Sequence, residues 1–367
     1  MFHPAKLAAA ILLLALAGCG TAPRPHPAGE RPPDVDLIPP GPAVPTPPPP
    51  LPTPAPATNQ TPTPTPAPKP PTFTVPAGTW VHLGRWAEAN HLGPLTNLHS
   101  TIAPTFALTT SAGIFVLRAG SLLTEWAGLE LRLGYAPQMI GGELFLHTLD
   151  VQKNLIPLLS ATSPPSSEPR VIVIDPGHGG HDSGTRSAVP GKWEKEYTLD
   201  WARRLKPLLE AAGWEVYLTR TNDADASLPA RVEFADAHHA AVFLSRHFNA
   251  TTGPDQAGIE TYCVTPLGMP SSVTRGYEDN SAMEFPNNKF DAPNLQFAVR
   301  LHRAVLIATG GQDRGVRRAR FLAVLRGQNR PAVLIEGGYL SNPAEAKLIN
   351  TPEHRQKLAA AVAKALQ

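Results

Sequence analysis

Val171-Ile172-Val173-Ile174-Asp175-Pro176-Gly177-His178-Gly179-Gly180 carries a β-branched apolar run straight into a histidine set among glycines. Two later stretches are built the same way: Ala241-Val242-Phe243-Leu244-Ser245-Arg246-His247-Phe248-Asn249-Ala250 and Pro331-Ala332-Val333-Leu334-Ile335-Glu336-Gly337-Gly338. Short runs of this kind are expected as strands buried on both faces of a mostly parallel, twisted sheet. In an open α/β sheet the ligand site lies beyond the carboxyl ends of the strands. His178, His247 and Glu336, remote from one another in sequence, are therefore expected at one sheet edge.

From Arg170 onward strands and helices alternate, as an α/β sheet flanked by helices requires. Leu199, Ala202, Leu205, Leu208, Leu209 and Ala212 recur at helical spacing, and Gly213 stands where a helix stops. Trp214 to Leu218, Ile259 to Val264 and Phe321 to Leu325 are expected as further strands. Leu228 to His238, Leu295 to Ala308, Pro343 to Ile349 and Pro352 to Leu366 are expected as helices.

The composition is different before that point. The chain has 367 residues, enough for more than one domain, and its 43 prolines crowd toward the amino terminus. A formal net charge of +2 implies no nucleic-acid partner. Lys6 and the apolar run Leu7 to Ala17 are expected as an export signal over residues 1–18, the run being too short to span a bilayer. It ends in Leu16-Ala17-Gly18-Cys19, which resembles a bacterial lipobox. The resemblance implies cleavage before Cys19 and a lipid on that cysteine, whose acyl chains anchor the protein to a membrane. Gly20, next in the chain, implies by resemblance to sorting in two-membrane bacteria the periplasmic face of the outer membrane. Residues 19–74, rich in Pro, Ala and Thr, are expected as a spacer rising about 3.1 Å per residue when extended. With Cys19 consumed, Cys263 has no partner and is expected as a small buried apolar residue on a strand.

Residues 75–162 regain globular composition and are expected as a small β-rich α+β module. Trp80 to Leu83 and Phe115 to Leu117 are expected strands, Trp86 to Asn90 a short helix, and Gly120 to His147 a hairpin-rich stretch turning at Gly141-Gly142. Leu83 to Leu92, Arg118 to Ser121 and Ala136 to Leu146 are similar to the copper amine oxidase N-terminal-like module. That resemblance implies a fold and no copper site, since His82, His91, His99 and His147 lack metal-ligand spacing. Ser160 to Pro169 is expected as a second linker.

The chemistry gathers around His178. A histidine leaving a strand must turn sharply, which the glycines of Gly177-His178-Gly179-Gly180 permit. Glu194 precedes the Leu199 helix, where the helix dipole favours a carboxylate facing the sheet edge. Two histidines and one carboxylate form a zinc set with one position left open, the mark of a catalytic rather than a structural ion. Glu336, from a further strand at the same edge, is placed to take a proton from water and return it to a leaving amine. The expected reaction is metal-assisted hydrolysis of an amide.

Residues 170–367 resemble the zinc-dependent N-acetylmuramoyl-L-alanine amidases of bacterial cell-wall turnover. The matching stretches are Ile174 to Gly180, Glu194-Lys195, Leu199, Thr219-Arg220, Ser245 to Ala250, Gly258 to Tyr262, Arg314-Gly315-Val316 and Pro331 to Asn342, in family order. Position by position, the resemblance implies that His178, Glu194 and His247 hold Zn2+ and that Glu336 is the catalytic acid/base. It implies peptidoglycan as substrate, cut at the amide between the lactyl group of N-acetylmuramic acid and L-alanine.

Two residues depart from the family pattern: Arg246 stands where an apolar residue is usual and Phe248 where a small one is common, and both are expected at the rim beside His247. Residues 265–293 are polar and rich in Pro and Asn. In some relatives an insertion near this place covers the zinc until an activator moves it, which implies a protein activator and makes Glu284 a candidate cap; an exposed loop is the simpler expectation. His181 and Glu196 are the rival ligands, Asp182 is expected to shape the glycine turn or support His178, and His238 and His239 to end a helix. Arg317, Arg318 and Arg320 are expected either to meet anionic stem peptides or to form a solvated basic face. A peptidoglycan-binding or regulatory pseudoenzyme is the alternative, and a zinc amidohydrolase acting on another envelope amide the third reading. Intact candidate ligands and Glu336 argue for turnover.

Overall fold

Apolar and polar side chains alternate along the first globular stretch, and in a computed structural model of the protein it folds into short, mostly antiparallel strands. The structure describes residues 72–75, 78–160 and 170–367. The expected export signal, Cys19, all but the last residues of the spacer and all but Ser160 of the second linker lie outside the described residues. The first elements are β1 (Trp80–His82), α1 (Leu83–Ala89), β2 (Leu95–Asn97), β3 (Thr105–Thr110), β4 (Gly113–Arg118), β5 (Leu123–Trp126), β6 (Leu129–Arg132), β7 (Gln138–Ile140) and β8 (Glu143–His147). Two helical turns, α2 (Thr148–Asp150) and α3 (Ile156–Leu159), follow. Among the described residues no helix is long and apolar enough to cross a membrane.

The remaining elements are β9 (Val171–Pro176), α4 (Glu194–Glu210), β10 (Glu215–Leu218), α5 (Leu228–Ala237), β11 (Val242–Asn249), β12 (Ile259–Cys263), α6 (Asp291–Thr309), β13 (Asp313–Arg318), α7 (Ala323–Arg326), β14 (Ala332–Tyr339), α8 (Pro343–Asn350) and α9 (Pro352–Ala365). The order across the main sheet is β10-β9-β11-β14-β12-β13-β6-β5-β4-β3-β2. β10, β9, β11 and β14 run parallel, β12 is antiparallel to β14, and β13 is parallel to β12. The expected α/β sheet, mostly parallel and flanked by helices, is thus present. The segment expected as a small module adds five strands to the same sheet. Its β6 pairs with β13 at Leu131 opposite Val316, and the Glu130 N–H donates to Asp313 Oδ2 at 2.8 Å. β1, β8 and β7 form a separate three-stranded sheet.

Period-two alternation divides the buried strands between two cores. Ile172, Ile174, Val242, Leu244, Phe248, Val333 and Ile335 pack with Trp201, Ala202 and Leu205 of α4, and with residues of α6 and α9. Val171, Val173, Phe243, Ala332 and Leu334 pack on the other face with Ala235 of α5 and Val324 and Leu325 of α7. His247 and Glu336 follow Phe243 and Leu334 at even spacing, so both fall on the α5/α7 side. They are also in register with each other across β11 and β14. Cys263, as expected, is a free buried thiol on a strand.

One expected strand is a helix. Phe321 to Leu325 enters α7, and the strand lies earlier, at β13. An apolar run this short reads equally as buried strand or buried helix. The real strand, Asp313-Arg314-Gly315-Val316-Arg317-Arg318, is disguised by charges whose partners are distant in sequence.

Candidate metal centre

At the carboxyl ends of β9 and β11, three side chains converge. Glu194 Oε2 lies 3.1 Å from His178 Nε2, Glu194 Oε1 lies 2.9 Å from His247 Nδ1, and the two ring nitrogens are 3.2 Å apart. Bonds of about 2.0–2.1 Å to a tetrahedral zinc set ligand atoms roughly 3.3 Å apart, so the spacing and the N, N, O donor set fit that ion. Among the described residues, His178, Glu194 and His247 are the group able to hold a metal. A cavity of about 390 Å³, lined in part by Gly177, His178, Asp182, Leu228 and His247, opens beside them.

Each ligand candidate is fixed by its neighbours. His178 adopts φ +62°, a left-handed conformation that a side chain normally avoids. The turn is held by Arg231, which donates to the His178 carbonyl at 2.8 Å, and by Arg220, which donates to the carbonyls of Pro176 at 3.0 Å and Gly177 at 2.9 Å. Arg231 also pairs with buried Asp175, which accepts from Thr219 Oγ1 at 2.6 Å and Ser245 Oγ at 2.7 Å. His178 Nδ1 meets Asp182 at 2.9 Å, leaving Nε2 toward Glu194, the carboxylate–histidine arrangement that orients a metal ligand. Glu194, buried in the first turn of α4, accepts from the backbone N–H of Thr185 and of Phe248, both at 3.0 Å. Gly177 is required by close approach: a Cβ there would stand 2.1 Å from His247 Cε1.

The electrostatics match these contacts. Burial alone would depress the His178 imidazolium, but Glu194 and Asp182 outweigh it and hold the pKa up at about 9. Burial would likewise raise Glu194, yet His178 and His247 keep its carboxyl well below the usual range. Glu336 behaves oppositely: burial first, then the nearby charge of Glu194, pushes it well above the ordinary carboxylate range, with Arg275 acting in the other direction. Glu336 Oε2 is buried and has no hydrogen-bond partner among the described residues.

The rival ligands lie elsewhere. His181 is exposed and pairs with Asp225 at 2.7 Å, and Glu196 accepts from the Trp193 N–H at 3.3 Å and from Lys192 at 2.7 Å. Asp182 does both things expected of it, since its carboxylate also accepts from the Gly184 N–H at 3.1 Å. His238 caps the end of α5, and Glu284 is exposed and outside the cluster.

Arg246 and Phe248 do not form the rim. Both are buried on the α4 face, Phe248 against Trp201 and Arg246 with its guanidinium 5.5 Å from the Trp201 ring, because neighbours of His247 in a strand point away from it. Arg318 and Arg320 are buried and bound to backbone carbonyls, Asn154 and Asp279, while Arg317 pairs with Glu260; none of the three forms a solvated basic face. Sequence reasoning missed Glu260, which lies directly opposite Glu336 across β12 and β14 and binds Asn249 and Tyr262, both at 2.8 Å. It also missed Arg275, which donates to Asn249 Oδ1 at 3.0 Å. The signal for Glu260 was its place on the expected Ile259 strand; Arg275, on an aperiodic loop, had none.

A His–Glu–His group able to hold a metal, at the carboxyl edge of a mostly parallel sheet and beside a buried carboxyl with one unpartnered oxygen, defines the class: an α/β protein with a candidate metal centre. Residues 172–367 match the N-acetylmuramoyl-L-alanine amidase family, and the chain belongs to it. N-acetylmuramoyl-L-alanine amidase AmiC of Neisseria meningitidis serogroup B is 35% identical over 217 residues, 54% of this chain and 52% of that protein. N-acetylmuramoyl-L-alanine amidase AmiA of Escherichia coli K12 is 30% identical over 215 residues, 53% of this chain and 74% of that protein. The chain thus spans about half the length of the first relative and three quarters of the second. The catalytic domain of CwlV, an N-acetylmuramoyl-L-alanine amidase from Bacillus (Paenibacillus) polymyxa var. colistinus, is 30% identical over 54% of this chain and 96% of that one, with a TM-score of 0.45.

Proposed function

We propose that this protein hydrolyses the amide between N-acetylmuramic acid and L-alanine in peptidoglycan, with His178, Glu194 and His247 holding zinc and Glu336 as general acid/base. The observation that carries this reading is Glu336 itself: a buried carboxylate, in register with His247, with Oε2 lacking a partner. An unsatisfied buried polar atom costs about 1–3 kcal/mol, a cost tolerated where a reacting group is to be met. A zinc ion bound at the three-residue centre supplies positive charge that polarises the amide carbonyl and acidifies the attacking water. Glu336 accepts the water proton at its free oxygen and delivers it to the departing alanine nitrogen. Its raised proton affinity suits the first half of that transfer, taking the proton from water. Asp182, Arg220 and Arg231 act on geometry, keeping His178 turned toward Glu194.

The same reading extends to the envelope. Lipid on Cys19 anchors the protein to the periplasmic face of the outer membrane, residues 19–74 act as the spacer, and a protein activator is a fitting partner. Family membership and the metal-ready geometry support this account over a binding role without turnover. Glu336→Gln tests it: zinc content is expected to stay at one per chain while peptidoglycan hydrolysis falls by about 10²-fold or more. Hydrolysis by Glu336→Gln at near the wild-type rate would remove the assignment.

A further inference from the structure

Arg275 stands beside this site without a carboxylate partner of its own. The neighbouring arginines are committed: Arg231 to Asp175, Arg314 and Arg317 to Glu260 at 3.1 Å each, and Arg220 to the carbonyls of Pro176, Gly177 and Lys195. Arg275 donates to Asn249 Oδ1 at 3.0 Å, lies within hydrogen-bonding reach of Tyr262, and rests 5.4 Å from the Phe321 ring; among the described residues it forms no ion pair with a carboxylate. It is exposed, so a ligand can reach it. Asn249, to which it donates, also donates to Glu260, the residue opposite Glu336, so Arg275 borders the reacting side. The backbone is left-handed at two successive residues: Arg275 has φ +47° and Gly276 +77°. A non-glycine residue in the left-handed region costs on the order of 1–3 kcal/mol and persists where the surroundings enforce it.

We propose that Arg275 is a specificity-determining residue that binds a carboxylate of the substrate's peptide close to the scissile amide. The proposal rests on the amidase reading above and adds the chemical class of the peptide: acidic, with a free carboxylate on a residue following the alanine. A guanidinium fork matches a carboxylate through two parallel hydrogen bonds, which an ammonium cannot reproduce. Asn249, two residues beyond His247, and Tyr262 hold part of the fork and Phe321 supports its plane, while the exposed side chain keeps donors for a ligand. Arg275 lies within 265–293, the stretch expected from sequence to be a loop or a cap; here it supplies a cation to the site.

The test compares two soluble muropeptides of equal length, one with that carboxylate free and one with it amidated, cleaved by the full-length zinc-loaded chain and by Arg275→Gln and Arg275→Lys. The wild type is expected to favour the acid about tenfold or more in kcat/KM, mainly through KM, as loss of a charged hydrogen bond predicts. Arg275→Gln should bring that ratio to within about twofold, and Arg275→Lys should keep part of it. Calorimetry of the free acidic stem peptide, run on chelated protein, should show about a tenfold weaker Kd in Arg275→Gln. An equal loss on both substrates, with a shifted pH profile and unchanged peptide affinity, would mean that Arg275 only tunes Glu336, and would overturn the proposal. A wild type that cleaves neither substrate would overturn the amidase reading instead, and the peptide affinity would still decide whether Arg275 binds a carboxylate.

Discussion

Replacing Arg246 by Leu should make the protein more stable. The guanidinium is fully buried in the core shared by α4, α6 and α9, and none of its three nitrogens has a hydrogen-bond partner among the described residues. Burial, eased by Asp175 and aggravated by Arg220, pulls its pKa down from 12.5 to about 9. At 1.36 kcal/mol per pH unit this is roughly 5 kcal/mol against the charged form. The stack over Trp201 returns about 2 kcal/mol, since the cation is desolvated. Leucine loses the stack and leaves a gap costing on the order of 1 kcal/mol. The net expectation is about 2 kcal/mol of added stability, in line with buried charges replaced by apolar residues. For a folded region of this size that is roughly 4–8 °C in Tm. Thermal and urea unfolding of the full chain would measure it, with Arg246→Met as the closest match in shape. A Tm lowered by several degrees in both variants would refute the reasoning, because it would mean that the guanidinium is satisfied in solution.

Three further expectations follow from the geometry. Gly177→Ala should displace His247, whose Cε1 would lie 2.1 Å from the new methyl, and zinc affinity by competition titration should fall at least tenfold. Asp175 is held below the usual carboxylate range: burial alone would raise it, but Arg231, Thr219 and Ser245 outweigh burial. Its contribution is therefore present above the unfolded value of about 3.9 and is lost as pH falls through the folded value, so Asp175→Asn should destabilise by about 3 kcal/mol at pH 7 and less at pH 3. An equal gap at both pH values in urea melts would contradict this. Deleting residues 1–160 should uncover the β13 edge now paired at Leu131, and size-exclusion chromatography should show concentration-dependent association that the full chain lacks.

The site was more legible than its frame. β9, β11 and β14 announce themselves as apolar runs ending in His178, His247 and Glu336, and the rule that ligands gather at carboxyl edges brings these residues together. Glu194 was readable because a carboxylate at a helix start has a reason to be there. β13 was hidden because Arg314 and Arg317 pair with Glu260, Arg318 binds carbonyls and Asn154, and Asp313 hydrogen-bonds His302, contacts that exist only after folding. Arg246 and Phe248 were misread although the information was present: flanking His247 in a strand places a side chain on the opposite face. Arg275 lies on a loop without periodicity, and only its approach to Asn249 gives it meaning.

The most direct test is digestion of purified peptidoglycan by the full chain, with and without a chelator, read by mass spectrometry. The expected result is release of stem peptides that begin at L-alanine, abolished by chelation and restored by zinc. Release that survives chelation, or no release from protein carrying one zinc per chain, would contradict a zinc amidase built on His178, Glu194, His247 and Glu336.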